Sequence, residues 1–281
     1  MKINYCCTYW GCEQDTPKAF VDKVLTAGYE GIEISLPPAT ETFTHLFLKE
    51  LDAIRKNKPD FIFIAQHLTT PGTDTVGQYI RKMEKNLLKL CRYNPTFINS
   101  HTGKDFYSFD ENCSVLEAVS NISQKTGVRI LHETHRGRFS FHAATLLPYL
   151  QKFPQLELVG DLSHFCTVSE SLLADQQHIL ELIIPHIKHL HARVGHEQGP
   201  QVNNPFASEW QEHVAVFLAW WKQIISHREH ADNALFTITP EFGPAPYMPA
   251  MPFTQEPLSN QWELNCSMKE YLLNQLKSYE N

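Results

Sequence analysis

Eight short β-type segments recur along the chain, and amphipathic helical segments separate them. The predicted strands cover residues 2–7, 31–36, 61–67, 96–101, 128–132, 156–161, 187–194 and 235–241. Their starts are roughly 30 residues apart, which is the length of one βα unit. Strict alternation implies parallel strands, and eight such units favour a closed barrel. We therefore predict one (β/α)8 TIM-barrel domain over residues 1–281.

An open, doubly wound sheet is the alternative fold. It would be expected to carry a glycine-rich phosphate turn after the first strand, but residues 6–11 read CCTYWG. Helices are predicted to begin at Asp15–Pro17, at Ser169 and at Met268. The connections 195–208 and 242–261 each follow a strand, so in a barrel they would lie over the active-site face.

Composition limits the cellular setting and the partners. A net charge of −7 and a pI near 6.1 weigh against a nucleic-acid partner. The chain has no stretch of 18 apolar residues and no signal-peptide pattern at its start. Its seven cysteines form no C-x-x-C pair. We predict a cytoplasmic protein with no membrane or nucleic-acid partner.

Potential metal ligands stand at the carboxyl ends of the last four predicted strands. In order, these strands supply Glu133, Asp161, His191 and Glu241. In a barrel such positions converge on one site. Carboxylate oxygens with one imidazole suit a single divalent ion such as Mn²⁺, Mg²⁺, Co²⁺ or Zn²⁺. The sequence therefore predicts one divalent metal ion at the mouth of the barrel.

The earlier strands end in Glu33, His67 and His101. A single glutamate or histidine at a strand end is more often hydrogen-bonded or on the surface than a ligand, so these three are left out of the ligand set. His67 and His101 are predicted to line the substrate site instead. On strand 7, His191 and Arg193 are two residues apart and share one face, which would bring Arg193 to the mouth.

The order of these strand ends resembles the xylose isomerase-like TIM barrels. The residues that carry the resemblance are His132-Glu133, Asp161-Leu-Ser-His164, His189-Leu-His191 and Pro240-Glu241. This group contains sugar isomerases, ketose 3-epimerases, inosose dehydratases, hydroxypyruvate isomerases and apurinic endonucleases. The resemblance implies that Glu133, Asp161, His191 and Glu241 bind the metal. It also implies that the two glutamates form the acid–base pair and that His164 contacts the substrate.

The resulting prediction is an isomerase or epimerase of a small sugar or polyol, phosphorylated or not. Carboxylate-mediated proton transfer would pass through a metal-stabilised enediolate. Arg193 and His164 would bind hydroxyls or a terminal anionic group. Trp10, Tyr247 and Trp262 are candidate walls for a sugar face, with ordinary packing as the equal alternative. Members of the group are often dimers or tetramers, so a homo-oligomer is the default expectation.

Three other functions stay open. A multinuclear zinc phosphodiesterase resembling apurinic endonucleases would use His67 and His101 as further ligands. Against it, residues 193–200 read RVGHEQGP and lack the D-x-H pair of that family. A metal-dependent polyol dehydratase would use much the same site. A sugar-binding barrel without catalysis has no need of a metal between two carboxylates.

Overall fold

The strands form a closed parallel barrel in the order β1 to β8. The computed structural model describes residues 2–37, 41–69, 72–229 and 235–279. β1 pairs with both β2 and β8, which closes the sheet. The strands are β1 (Ile3–Thr8), β2 (Gly31–Ile34), β3 (Ile62–His67), β4 (Phe97–Ser100), β5 (Ile130–Glu133), β6 (Leu158–Gly160), β7 (Ile187–His191) and β8 (Phe236–Thr239). The predicted (β/α)8 fold is confirmed.

Helices alternate with the strands and cover the outside of the barrel. They are α1 (Pro17–Thr26), α2 (Glu41–Asn57), α3 (Val76–Cys91), α4 (Phe109–Thr126), α5 (Ala143–Lys152), α6 (Ser163–Ser169), α7 (Gln177–Ile183), α8 (Gln211–Glu229) and α9 (Gln261–Leu276). Thr16 caps α1 by accepting a hydrogen bond from the Ala19 amide, with Pro17 in the first turn. Across the described segments, no helix combines the length and the apolar character needed to cross a membrane.

Two helices differ from their predicted positions. A single helix was expected from Ser169, but Ser169 is the last residue of α6, and α7 begins only at Gln177. The chain breaks between them because Glu170 and Leu173 adopt left-handed backbone angles, with φ of 47° and 54°. α9 begins at Gln261, well before Met268, and the side chain of Asn260 accepts a hydrogen bond from the Glu263 amide to cap it.

Side-chain alternation divides each strand between the barrel lumen and the helix layer. A compact apolar cluster fills the lower lumen with Cys6, Ile62, Ile64, Phe97, Leu131 and Val159. The opposite faces pack against the helices in a much larger cluster. Each fully buried aliphatic or aromatic side chain contributes about 1.5–3 kcal/mol. Two positions further along these strands, the lumen-facing residues are Gln66, Asn99, Glu133 and Asp161, so the lumen changes from apolar to polar towards its carboxyl end.

Candidate metal centre and active site

Glu133, Asp161, His191 and Glu241 meet at the carboxyl end of the lumen. Each offers one ligand atom, and these atoms lie within 4.8 Å of one another. All four residues are buried. Nδ1 of His191 is 2.8 Å from Oε2 of Glu241 and 3.8 Å from Oε1 of Glu133. The structure therefore brings together the four residues that the sequence predicted as ligands.

The environment of His191 fits a divalent ion. Its Nε2 lies 3.0 Å from Oε1 of Glu33 and donates to that carboxylate, so the lone pair of a neutral ring sits on Nδ1. Within the described part of the chain, Nδ1 makes no hydrogen bond of acceptable geometry, although Glu241 is close. A buried nitrogen aimed at crowded carboxylates suits a cation between them. We conclude that this group could hold a divalent metal ion.

Glu33, on β2, is fully buried beneath this group. Its Oε1 accepts from Nε2 of His191, from Nδ2 of Asn99 at 2.9 Å and from Nε2 of Gln66 at 3.1 Å. Its Oε2 accepts from Nε2 of His189 at 3.1 Å and from Oγ1 of Thr239 at 2.6 Å. Oε1 of Glu33 thus accepts three hydrogen bonds and Oε2 accepts two. We call Glu33 the acceptor hub below the candidate ligands.

Two amides connect this hub to the glutamates above it. Nδ2 of Asn99 also donates to Oε2 of Glu133, at 2.8 Å, and Nε2 of Gln66 also donates to Oε1 of Glu241, at 3.2 Å. One oxygen of each glutamate is therefore held by an amide. The other oxygen of each faces His191. The arrangement favours binding of a metal through a single oxygen of each glutamate.

The pKa values of the site carboxyls move in opposite directions. Burial acts to raise the pKa of Glu133, but His101 and His191 outweigh it and lower that pKa well below its usual range. Burial raises the pKa of Glu241, and His191 and Arg193 offset this only in part. Burial acts to lower the pKa of His191, but Glu241, Glu33 and Glu133 outweigh it and raise that pKa. In the metal-free protein, His191 therefore carries the proton that a metal would displace.

Arg193 lies just beyond β7 and is 1% exposed. One of its amino groups, Nη2, contacts Oδ2 of Asp161 and donates to Nε2 of His164 at 3.1 Å. Because that nitrogen of His164 accepts, the proton of the neutral ring sits on Nδ1. Burial lowers the pKa of His164 well below its usual range, so the ring is neutral. Arg193 and His164 thus both lie beside the candidate ligand Asp161.

A second histidine cluster borders the same site. Nε2 of His101 is 3.0 Å from Oε2 of Glu133, and its Nδ1 is 3.4 Å from Nη2 of Arg138. The ring of His135 packs between those of His101 and His164, with centroid separations of 4.4 and 3.9 Å. His101, Glu133 and His135 form a second group whose potential ligand atoms lie within 4.8 Å of one another.

A cavity of about 460 Å³ opens above these residues. This volume falls in the range of small-molecule sites. Its polar side includes Gln66, His101, Glu133, His135, Arg193 and Glu241. Its aromatic and apolar side includes Tyr9, Trp10, Pro37, Leu68 and Tyr247.

Trp10 is placed in this wall by a glycine. A Cβ on Gly243 would lie 2.2 Å from the indole ring, so only glycine lets the ring pack there. Gly243 is held in turn by Gln201, which donates to its carbonyl at 3.1 Å and accepts from its amide at 2.7 Å. Trp10 also packs edge-on against Tyr247, at a centroid distance of 4.9 Å. The candidate sugar-facing wall therefore has a fixed position.

Two predicted site residues lie elsewhere. His67 faces outward from β3, where its Nδ1 is 3.1 Å from Oγ of Ser100 and its ring borders a small recess beside α3. The inward position next to it belongs to Gln66, because neighbouring strand residues point to opposite faces. Trp262 lies under Lys23, whose Nζ is 4.1 Å from the ring centroid, and it does not line the cavity. Trp10, His101, Arg193 and Tyr247 do line it, whereas the fully buried His164, also predicted to bind substrate, is not among the described residues of its lining.

The polar residues below the site were missed in the sequence. Gln66 and Asn99 were passed over because neither ends its predicted strand. Side-chain alternation along the strand could have identified them, because Gln66 and Asn99 lie two positions beyond the lumen-facing apolar residues Ile64 and Phe97. Glu33 was noted only as an isolated strand-end acid.

Comparisons with solved structures identify the fold. The sequence matches no protein-family model and no curated protein. A D-tagatose 3-epimerase-like protein is similar over 98% of each chain, with a TM-score of 0.64 and 15% identity. An IOLI protein with a bound zinc atom is similar over 98% of this chain and 99% of its own, with a TM-score of 0.61 and 13% identity.

A third similar structure is described by the name of this fold. It is a xylose isomerase-like TIM barrel protein from Mycobacterium smegmatis in complex with magnesium. It is similar over 99% of this chain and 98% of its own, with a TM-score of 0.60 and 8% identity. At these identities the likeness shows the fold, and this chain has the xylose isomerase-like TIM-barrel fold.

Proposed function

We propose that the protein is a divalent-metal-dependent isomerase or epimerase of a small sugar or polyol. One observation carries the proposal. Glu133 and Glu241 come from the ends of β5 and β8, which are not neighbours in the barrel, and both border one cavity. Each has one oxygen held by an amide and the other facing His191. Two carboxylates placed in this way can flank a substrate.

The chemistry follows from this placement. Glu133, Asp161, His191 and Glu241 would hold the ion, which supplies a Lewis acid that acidifies the C–H beside a substrate carbonyl. One glutamate then takes a proton from carbon, and the other returns one to the opposite face or to the next carbon. Arg193 orients the substrate, His164 helps to hold Arg193 in place, and Trp10 and Tyr247 cover the apolar face of the substrate.

The test replaces each glutamate by its neutral isostere. Glu133→Gln and Glu241→Gln are assayed on a panel of aldoses and ketoses with Mn²⁺, in D₂O, so that deuterium entering a carbon position reports proton transfer. We expect each variant to lose about 10²–10⁴-fold in turnover and in deuterium exchange. Glu157→Gln is the matched control, because Glu157 pairs with Arg129 away from the cavity. Full activity in both site variants would refute the acid–base assignment.

A multinuclear phosphodiesterase is the second candidate, and the group of His101, Glu133 and His135 is what favours it. A second ion there would share Glu133 with the first. His67, which the sequence suggested as a further ligand, lies outside this group. Elemental analysis separates the two proposals: about one ion per chain supports the isomerase, and two or more support the phosphodiesterase.

A polyol dehydratase would use the same pair of carboxylates. Both reactions begin with removal of a proton from the carbon beside a carbonyl, so the variants above do not separate them. Product mass does, because dehydration removes one water and isomerisation leaves the mass unchanged. The same panel of aldoses and ketoses, analysed by mass spectrometry, distinguishes these outcomes.

A further inference from the structure

Three arginines cluster on one side of the cavity. Arg136 and Arg138 lie in the connection between β5 and α5, and Arg193 follows β7. Arg193 lines the cavity itself. Arg138 contacts the cavity residue His101, and the guanidinium of Arg136 lies 5.3 Å from the ring centroid of Tyr247. We call Arg136, Arg138 and Arg193 the arginine cluster.

Arg193 keeps an unused donor although its side chain is almost completely buried. Its Nη2 is taken by Asp161 and His164, and its Nη1 reaches only the backbone carbonyl of Glu241, at 3.4 Å. Its Nε has no hydrogen-bond partner in the described part of the chain. A buried N–H without a partner costs about 1–3 kcal/mol. A ligand acceptor in the cavity would remove that cost.

The other two arginines differ from Arg193 in their partners. Within the described residues, neither Arg136 nor Arg138 has an acidic group within ion-pair distance. Arg138 uses its amino groups on His101 and on the carbonyl of Gly137, and its buried Nε has no hydrogen-bond partner among the described residues. Arg138 is only partly exposed, so its charge is not fully solvated. Guanidinium groups held in this way gain from an external anion.

The rest of the cavity is different in character. Its apolar lining is formed by Tyr9, Trp10, Pro37 and Leu68, and the guanidinium of Arg193 lies 5.8 Å from the ring centroid of Trp10. Glu13 also lines the cavity, is exposed and accepts from the Gly11 amide at 3.0 Å. With a divalent ion in place, its two charges would offset two of the three carboxylates of the ligand group, and Arg193 contacts the third, Asp161, so the charges of Arg136 and Arg138 have no paired carboxylate among the described residues. The cavity then offers guanidinium groups and aromatic rings to one small molecule.

We propose that the substrate is a small hydroxylated anion, whose carboxylate or phosphate group binds at the arginine cluster. This inference rests on the proposed function, because it places the reacting carbons between Glu133 and Glu241. The anionic group accepts from Nε of Arg193 and is further attracted by Arg138 and Arg136. A neutral sugar would leave these charges without a counter-ion, so it binds less tightly.

The test compares three probes that share a six-carbon polyol chain: sorbitol, gluconate and sorbitol 6-phosphate. Binding to the full-length protein is measured by calorimetry in a phosphate-free amine buffer, with and without saturating Mn²⁺. We expect gluconate or sorbitol 6-phosphate to bind at least about tenfold more tightly than sorbitol, since charge-assisted hydrogen bonds are roughly twice as strong as neutral ones. Which of the two anions binds better distinguishes a carboxylate from a phosphate.

Variants separate the arginines from the metal, which can itself attract an anion. Arg193→Gln and Arg138→Gln are expected to lose the preference for the anions, while Arg129→Gln, an exposed residue paired with Glu157, keeps it. Arg138→Gln remains informative if the more deeply buried Arg193 variant does not fold. Equal binding of all three probes, or a preference that survives in both cluster variants, overturns the inference.

The failure of this inference differs from the failure of the proposed function. Mn²⁺ affinity is measured in the same titrations without any probe. Tight Mn²⁺ binding without an anion preference refutes only the substrate class. An arginine-dependent anion preference without Mn²⁺ binding supports the anion site and refutes the metal-dependent reaction.

Discussion

Glu33 gives the sharpest test of how the candidate metal centre is built. The substitution Glu33→Gln keeps the size of the side chain and removes its charge. Glu33 accepts from His191, which leaves Nδ1 of that ring facing the other ligands. It also holds Asn99 and Gln66, the amides that fix Glu133 and Glu241. The change therefore disturbs three of the four ligands without touching the ion.

The expected magnitude has two parts. Loss of an outer partner of a metal-binding histidine commonly weakens metal affinity 10–100-fold, which corresponds to about 1.4–2.7 kcal/mol. In the metal-free protein, the new amide must place an N–H group against Nε2 of His189 and Oγ1 of Thr239, both of which now donate to Oε2. Such a buried mismatch costs about 1–3 kcal/mol unless both donors reorient.

Two measurements separate these parts. Calorimetric titration with Mn²⁺ at one pH gives the affinity, and thermal unfolding of the metal-free protein gives the stability. We expect affinity to fall by at least tenfold and the Tm to fall by several degrees, at about 2–4 °C per kcal/mol for a large domain. Glu30→Gln is the matched control, because Glu30 is three residues away and partly exposed, where it pairs with Lys2 at 2.8 Å.

One result would refute the reasoning. If Glu33→Gln folded normally and bound Mn²⁺ within twofold of the unaltered protein, the hub would not orient His191. A drop in stability that Glu30→Gln shared equally would point to strand packing instead. A drop in affinity confined to Glu33→Gln supports the role of the hub.

Three further outcomes are expected. Gln66→Leu frees Oε1 of Glu241 and should weaken Mn²⁺ binding several-fold by calorimetry, and an unchanged affinity would show that the amide does not fix that carboxylate. Gly243→Ala forces Trp10 out of the cavity wall and should raise the KM more than it lowers the kcat, in steady-state kinetics. Burial lowers the pKa of His132 from 6.5 to about 4, so the unfolded chain binds more protons between these values and stability falls as the pH drops through that window. Denaturant unfolding from pH 7 to pH 4 measures this loss of stability, and His132→Gln should reduce the loss by up to about 3 kcal/mol.

The barrel could be predicted from the sequence because its signals are local and repeated. Each observed strand overlaps its predicted range, since the apolar runs on both faces are continuous. Helix limits were harder to predict. The break after Ser169 depends on left-handed backbone angles at Glu170 and Leu173, and neither residue is a glycine that would have marked it.

The site was predictable only in part. Strand-end position was enough to bring Glu133, Asp161, His191 and Glu241 together. It failed for His67, because the strand ends on an outward-facing position and the inward residue is Gln66. The remaining geometry of the site depends on contacts between strands that are far apart in sequence. The hydrogen bonds from Asn99 and Gln66 to Glu33 join three strands, and no local pattern encodes them.

The depth of each residue in the lumen explains why the charged groups can be buried. The lower layer is apolar, and above it Glu33 accepts from five side chains of the described structure, so its charge is compensated before any ligand is added. The next layer is less balanced. Within the described residues, the carboxylates of Glu133, Asp161 and Glu241 have one arginine, Arg193, and the histidines His101, His164 and His191 as close partners. In and beside the cavity the imbalance reverses, since Nε of Arg193 and Nε of Arg138 have no hydrogen-bond partner in the part of the chain that the structure describes. A cation in the middle layer and an anion in the upper layer would balance the charges of both layers. The metal and an anionic substrate are therefore expected to stabilise the protein more together than either does alone.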